Sequence, residues 1–172
     1  MDETATRNPT ETRVLLVADW AVDPHAVVAA ASRRAARGDT LFDLVVPAWL
    51  HGVDWAGDPH ASFPCAQRQL ETLSGLLGAA GLPVGHATVG DPDPTAAILD
   101  ALDDRRADEL LLCARDRRLG GGPLDLAHRA RRLTGLPVTR VGVRRPAARR
   151  GARLRAPRRN NGHCAGPAAP AA

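Results

Sequence analysis

The chain has 172 residues, 44% of them hydrophobic, enough for one domain with a real core. Its net charge of +4 is unevenly held: residues 144–172 carry eight arginines and no acid, whereas residues 1–143 carry 15 arginines against 19 acids. No apolar run approaches the roughly 20 residues that a membrane-spanning helix needs, which excludes that class. Lysine and tyrosine are both absent, and arginine-only basicity with abundant Ala, Gly and Pro reads as the product of a GC-rich genome rather than of a selected RNA surface.

Residues 1–12 are polar and acid-bearing, unlike a secretory signal or transit peptide, and are expected to form a disordered leader. Val14 to Ala18 is a buried-strand run that ends at Asp19. Asp23-Pro24 then opens a helix with an N-cap acid and a proline at the first position, where a missing N–H costs nothing. Val27, Val28, Ala31 and Ala35 line its inner face, and Gly38 ends it. Asp43 to Val46 is a second strand, closed by Pro47.

A loop from Ala48 to Pro64, rich in Gly, Pro, His and Trp, leads to a helix over about Cys65–Ala80. Ala66, Leu70, Leu73 and Leu77 form its apolar stripe, and Gly81 stops it. Val84, Ala87 and Val89 suit a short strand that Gly90-Asp91-Pro92 breaks. Asp93-Pro94 repeats the cap-plus-proline device, and Ala97, Ile98, Ala101 and Leu102 recur at helical spacing. Leu110-Leu111-Leu112-Cys113 is apolar on both faces, as a strand covered by helices on each side must be. A helix over about Pro123–Thr134 is expected to bury Leu126, Ala130 and Leu133 and to stop at Gly135. Val138–Val143 makes a fifth strand.

The order β-α-β-α-β-α-β-α-β predicts an α/β fold: an open, doubly wound, five-stranded parallel sheet with four crossover helices, Rossmann-like in type, over residues 13–143. Residues 144–172 are Arg-, Pro- and Ala-rich without periodicity and are expected to be disordered. The cysteines, Cys65, Cys113 and Cys164, contain no CxxC pair, so neither a disulfide framework nor a zinc knuckle is predicted. Cys113 reads as a small core residue, and a reducing cytoplasm is the expected compartment.

Open α/β sheets bind ligands beyond the C-terminal ends of their strands, where the strand order reverses. That rule selects Asp19-Trp20-Ala21, Pro47-Ala48-Trp49 and the segment Arg115 to Gly122. Gly120, Gly121 and Gly122 before a helix N-terminus could aim backbone N–H groups at an anion, with Arg115, Arg117 and Arg118 adding charge-assisted contacts. The plainer alternative is a flexible connector with solvated charges. Asp125, in the first turn, competes with an anion for the same N–H groups.

With these residues placed, the chain resembles a universal stress protein domain over about Arg13 to Val143. The resemblance rests on VLLVAD, ending at Asp19, on VGDPDPTAAILDALDDRRADELLLC, and on the closing LTGLPVTRVGV. It implies that Asp19 lies beside the ribose and adenine of a nucleotide, and that Val46 is near the position whose backbone contacts adenine. It also implies a homodimer paired through the last strand. The phosphate motif departs from the pattern: G-x-x-G, nine residues, then Gly-Ser or Gly-Thr would place the final pair at about Leu124-Asp125. No bare backbone or hydroxyl stands there, and Asp125 adds a negative charge. The departure weakens binding of ATP and leaves AMP, or another anion held by the arginines, as the alternative.

Other groups carry less. His51, Asp54, His60 and Cys65 suit zinc by type but not by spacing, and read as incidental loop residues. Trp49, Trp55 and Phe63 suit covering the sheet edge better than stacking on a base. His25 and His128 read as surface residues, and Asp103, Asp104 and Asp108 as helix-end solvation. No nucleophile or partner histidine accompanies Asp19, so no enzymatic chemistry is expected. The first expectation is a non-catalytic stress-response or regulatory domain acting as a homodimer. The second is a nucleotide- or anion-binding switch using the ends of strands one and four. A third is a nucleic-acid accessory protein acting through its tail, whose arginines would contact phosphates but lack interleaved aromatics for stacking.

Overall fold

The computed structural model describes residues 11–49, 62–115 and 125–143. The elements alternate as expected: β1 (Thr12–Ala18), α1 (Pro24–Ala35), β2 (Thr40–Pro47), α2 (Phe63–Ala79), β3 (Val84–Gly90), α3 (Pro94–Asp104), β4 (Glu109–Arg115), α4 (Leu126–Thr134) and β5 (Val138–Val143). All strand pairs are parallel, in the order β3-β2-β1-β4-β5. The expected disordered leader and tail, apart from Glu11 and Thr12, lie outside the described residues. No helix among those described is long and apolar enough to cross a membrane.

Alternation along the central strands divides the core in two. Val14, Leu16, Ala18, Phe42, Leu44, Val46, Leu111 and Cys113 face α1 and α2. Leu15, Val17, Val45, Leu110, Leu112 and Ala114 face α3 and α4. Strands clothed on both faces have no polar side to show, which is why β1 and β4 read as unbroken apolar runs. One expected core residue is misplaced: Leu133 is 58% exposed. Nine residues give α4 room to bury only Leu126 and Ala130, one turn apart, and Leu133 lies past that stripe.

Both cap-plus-proline signals act as read. Asp23 Oδ1 accepts the His25 N–H at 3.0 Å, and Asp93 Oδ1 accepts the Thr95 N–H at 2.8 Å. Gly135 closes α4 with φ +70°, in the left-handed region where a side chain is disfavoured. Asp108 does more than solvate a helix end. Its Oδ2 accepts the Arg13 N–H at 2.8 Å while its own N–H donates to the Arg13 carbonyl at 2.8 Å, fastening the entrances of β1 and β4. Cys113 is a buried free thiol, as expected, whereas Cys65 is disulfide-bonded, which the cysteine spacing did not suggest.

A charged pair sits on the α3/α4 side of the sheet. Arg13 donates through Nε to Asp43 Oδ2 at 2.5 Å and through Nη2 to Oδ1 at 3.2 Å. Asp43 is only 4% exposed, and the hydrogen bond it accepts raises the Arg13 pKa above its ordinary value. Next to it β3 carries one extra residue, Gly85, where a Cβ would stand 3.2 Å from Asp43 Oδ1.

Gly90 ends β3 at the closest approach between sheet and helix. A Cβ there would lie 2.6 Å from the Ala97 Cβ and 3.0 Å from the Val45 Cγ1. Both neighbours belong to the core, so α3 would have to move outward. Gly90→Ala is therefore expected to lower stability by about 1–3 kcal/mol. Urea denaturation checks this, and an unchanged midpoint would show that α3 is not held by this contact.

Candidate functional site

The strand order reverses between β1 and β4, whose connections leave in opposite directions. Register between them ends at Ala18 opposite Cys113, and the Asp19 N–H continues the ladder by donating to the Cys113 carbonyl at 2.9 Å. The crevice therefore opens at Asp19. Its Oδ1 accepts the Ala21 N–H at 2.9 Å, and its carbonyl accepts the Val22 N–H at 3.1 Å, which turns the chain sharply toward the Asp23 cap. At 4% exposure Asp19 is buried at the end of β1.

Val46 stands beside it. The β1–β2 register ends at Val17 opposite Val45, so Val46 is the first residue of β2 beyond the pairing with β1. Its side chain is fully buried toward α1 and α2, and on the other edge it is paired with Val89 of β3. Arg115 ends β4 opposite Val143, at the same edge of the sheet. Asp19, Val46 and Arg115 are thus brought to one end of three adjacent strands. Gly120, Gly121 and Gly122 lie outside the described residues.

Asp125 is the N-cap residue of α4, but its side chain makes no capping hydrogen bond. It turns instead to Arg140 of β5, with Oδ1 at 3.6 Å from Nη1. The carboxylate that stands where the family's phosphate motif would end is therefore committed to an ion pair. The Asp125 side chain leaves the first N–H groups of α4 uncapped, while the acid itself stays at that helix end.

Trp20 joins two strand ends. Its indole N–H donates to the Trp49 carbonyl at 2.6 Å, tying the segment after β1 to the segment after β2. Trp20 packs on the α1/α2 core and Trp49 on the α3/α4 core, so the pair straddles the sheet end. A tryptophan directly after the strand-ending acid was the available signal. Phe63 does not cover the sheet edge: it opens α2 and is 48% exposed. His51, Asp54, Trp55 and His60 lie outside the described residues, and no cluster of His, Cys, Asp or Glu among those described could hold a metal. His25 and His128 are exposed on their helices.

No family model matches this chain, and no curated protein matches it in sequence. Solved structures match it in fold. A universal stress protein family protein of Arabidopsis thaliana with AMP bound superposes with a TM-score of 0.52 at 16% identity, over 83% of this chain and 97% of its own. A universal stress protein in complex with cAMP gives 0.50 at 16% identity, over 77% of this chain and 98% of its own. A universal stress family protein of Burkholderia pseudomallei gives 0.52 at 17% identity, over 80% and 100%. The fold is that of a universal stress protein domain, with its five-stranded parallel sheet and four helices.

The same edge holds one buried thiol. Burial pushes the Cys113 pKa up to about 12, against a smaller lowering by the positive charge of Arg33. Unfolded, the thiol ionises near 9, so the stability gained by keeping it neutral is complete below that pH and is lost as pH rises toward 12. In the native chain at pH 8, Cys113 is expected to resist an alkylating reagent and to become reactive in urea. Peptide mass spectrometry distinguishes the outcomes, and rapid native labelling of Cys113 would contradict the burial described.

Proposed function

We propose that this chain is a non-catalytic regulatory domain of the universal stress type, serving a stress response and controlled by an adenine nucleotide at the β1/β4 crevice. The observation that carries the reading is the convergence of the buried Asp19 and the C-terminal end of β2 at Val46, past its pairing with β1, where the strand order reverses. A carboxylate offers about four acceptor sites, which suits the two hydroxyls of a ribose. The AMP and cAMP held by two proteins of the same fold support this class of ligand. Both present less phosphate than ATP, in keeping with the departure from the family's phosphate motif at Leu124-Asp125.

A ligand at a hundred times its dissociation constant stabilises the native state by about 2.7 kcal/mol, several degrees in melting temperature. AMP and cAMP are expected to raise the melting temperature in a saturable way, ATP less so, and Asp19→Ala to remove the effect. No shift with any of the three at millimolar concentration would sink the nucleotide reading.

The same proposal includes a homodimer paired through β5, an edge strand whose outer backbone groups need partners. Two-fold pairing of identical edges is antiparallel and brings Arg140, near the middle of Val138–Val143, close to its counterpart. Each Arg140 is paired with Asp125 of its own chain, so the facing guanidinium groups bring little net repulsion. Sedimentation is expected to show a dimer at high micromolar concentration, and a monomer there would count against it.

A further inference from the structure

The far end of the sheet holds a second constellation, unrelated to the β1/β4 crevice. Ala30, Arg33 and Arg34 of the last turns of α1, with Arg37 in the turn just after it, line a groove that faces Thr139 and Val141 of β5; Arg33 and Arg37 are exposed at its rim. Leu111 lies between them as an apolar floor, and Glu109, at the start of β4, is the one carboxylate lining the groove. Arg34 is held in place: its Nε pairs with Glu109, and its Nη1 donates to Thr40 Oγ1 at 3.2 Å. Glu109 is thereby neutralised. Arg33 and Arg37 have no carboxylate partner among the described residues, so the lining keeps a charge of +2.

Arginines at a helix C-terminus ordinarily complement its dipole and point to solvent. Two features separate this group from that arrangement. The guanidinium charges border a concavity with an apolar floor, and the charge of Arg33 is felt at the buried Cys113, so it bears on the sheet. The groove encloses about 60 Å³. That admits one compact group of phosphate size and falls well short of the ~300 Å³ at which sites for whole organic ligands begin.

We propose that the groove formed by Arg33 and Arg34 of α1 and Arg37 just beyond it, against Thr139 and Val141 of β5, is a binding site for a single phosphate group. Arg34, fixed by Glu109 and Thr40, supplies a rigid wall. Arg33 and Arg37 supply the unpaired charge, and forked guanidinium donors match phosphate oxygens in geometry. The groove lies toward the start of β4, at Glu109 and Leu111, whereas the proposed nucleotide crevice opens beyond Cys113 near its end.

The test is calorimetric titration of the full chain with inorganic phosphate and, separately, with a phosphoserine peptide, in phosphate-free buffer. Saturable binding of inorganic phosphate is expected, weakened at least tenfold in Arg33→Gln/Arg37→Gln. It is expected to be unchanged in Arg129→Gln/Arg132→Gln, which removes the same charge from α4. Binding of the peptide as well would assign the group to a modified protein, and binding of phosphate alone would assign it to the free ion. Phosphate binding that survives Arg33→Gln/Arg37→Gln, on residues 144–172 or elsewhere, overturns the proposal, as does no binding at millimolar concentration. Asp19→Ala separates the two sites: it is expected to abolish stabilisation by AMP and to leave phosphate binding intact.

Discussion

β1 is hydrogen-bonded on both edges, to β2 and to β4, and covered on both faces, by α1 and α2 on one side and by α3 and α4 on the other. Everything else in the domain is arranged around that strand. Because the chain leaves β1 first toward β2 and β3 and later returns on the other side to β4 and β5, the connections part at its C-terminal end. In open parallel sheets such a reversal is where ligands bind. Asp19 occupies the first position where β1 is released from two-sided pairing, and its burial follows from that place in the topology.

The elements were legible because their signals are local. Cap acid, proline and apolar stripe coincide at Asp23 and at Asp93, and the two-faced apolar runs at Val14–Ala18 and Leu110–Cys113 admit no other reading than buried parallel strands. Strand ends were less legible. β1 and β2 each begin earlier than their apolar runs because Thr12, Arg13 and Thr40 are polar residues held by pairing that only the assembled sheet supplies. The site was half legible. Asp19 and Val46 follow from strand ends, but the Trp20–Trp49 hydrogen bond joins residues 29 apart in sequence, and the partnership of Asp125 with Arg140 joins a helix cap to a strand. Neither leaves a trace in spacing. The exposure of Leu133 marks the same limit, since periodicity states which face is apolar and not how far a short helix is covered.

The two ends of the sheet differ in chemistry. At the C-terminal end, Asp19 is buried and Asp125 is paired with Arg140. At the N-terminal end, α1 gathers arginines of which one is neutralised. Under the two proposals, a carboxylate suited to hydroxyls at Asp19 and guanidinium groups at Arg33 and Arg37 fall to different parts of the sheet, whereas AMP and cAMP each carry both kinds of group.

The ion pair between Arg13 and Asp43 bears on how the chain finds this sheet at all. Parallel strands rich in Val and Leu are interchangeable partners, since sliding one past another trades like for like. Asp43 breaks that degeneracy. A slip of β2 by one residue would turn every side chain to the other face, sending Asp43 among Leu16, Val27 and Leu73 without Arg13 and placing Phe42 and Leu44 beneath α3. An uncompensated buried carboxylate is costly enough to discard that alignment during assembly. One charged residue in an apolar strand thereby acts as a proofreading device, rejecting misaligned sheets before the crevice at Asp19 can form.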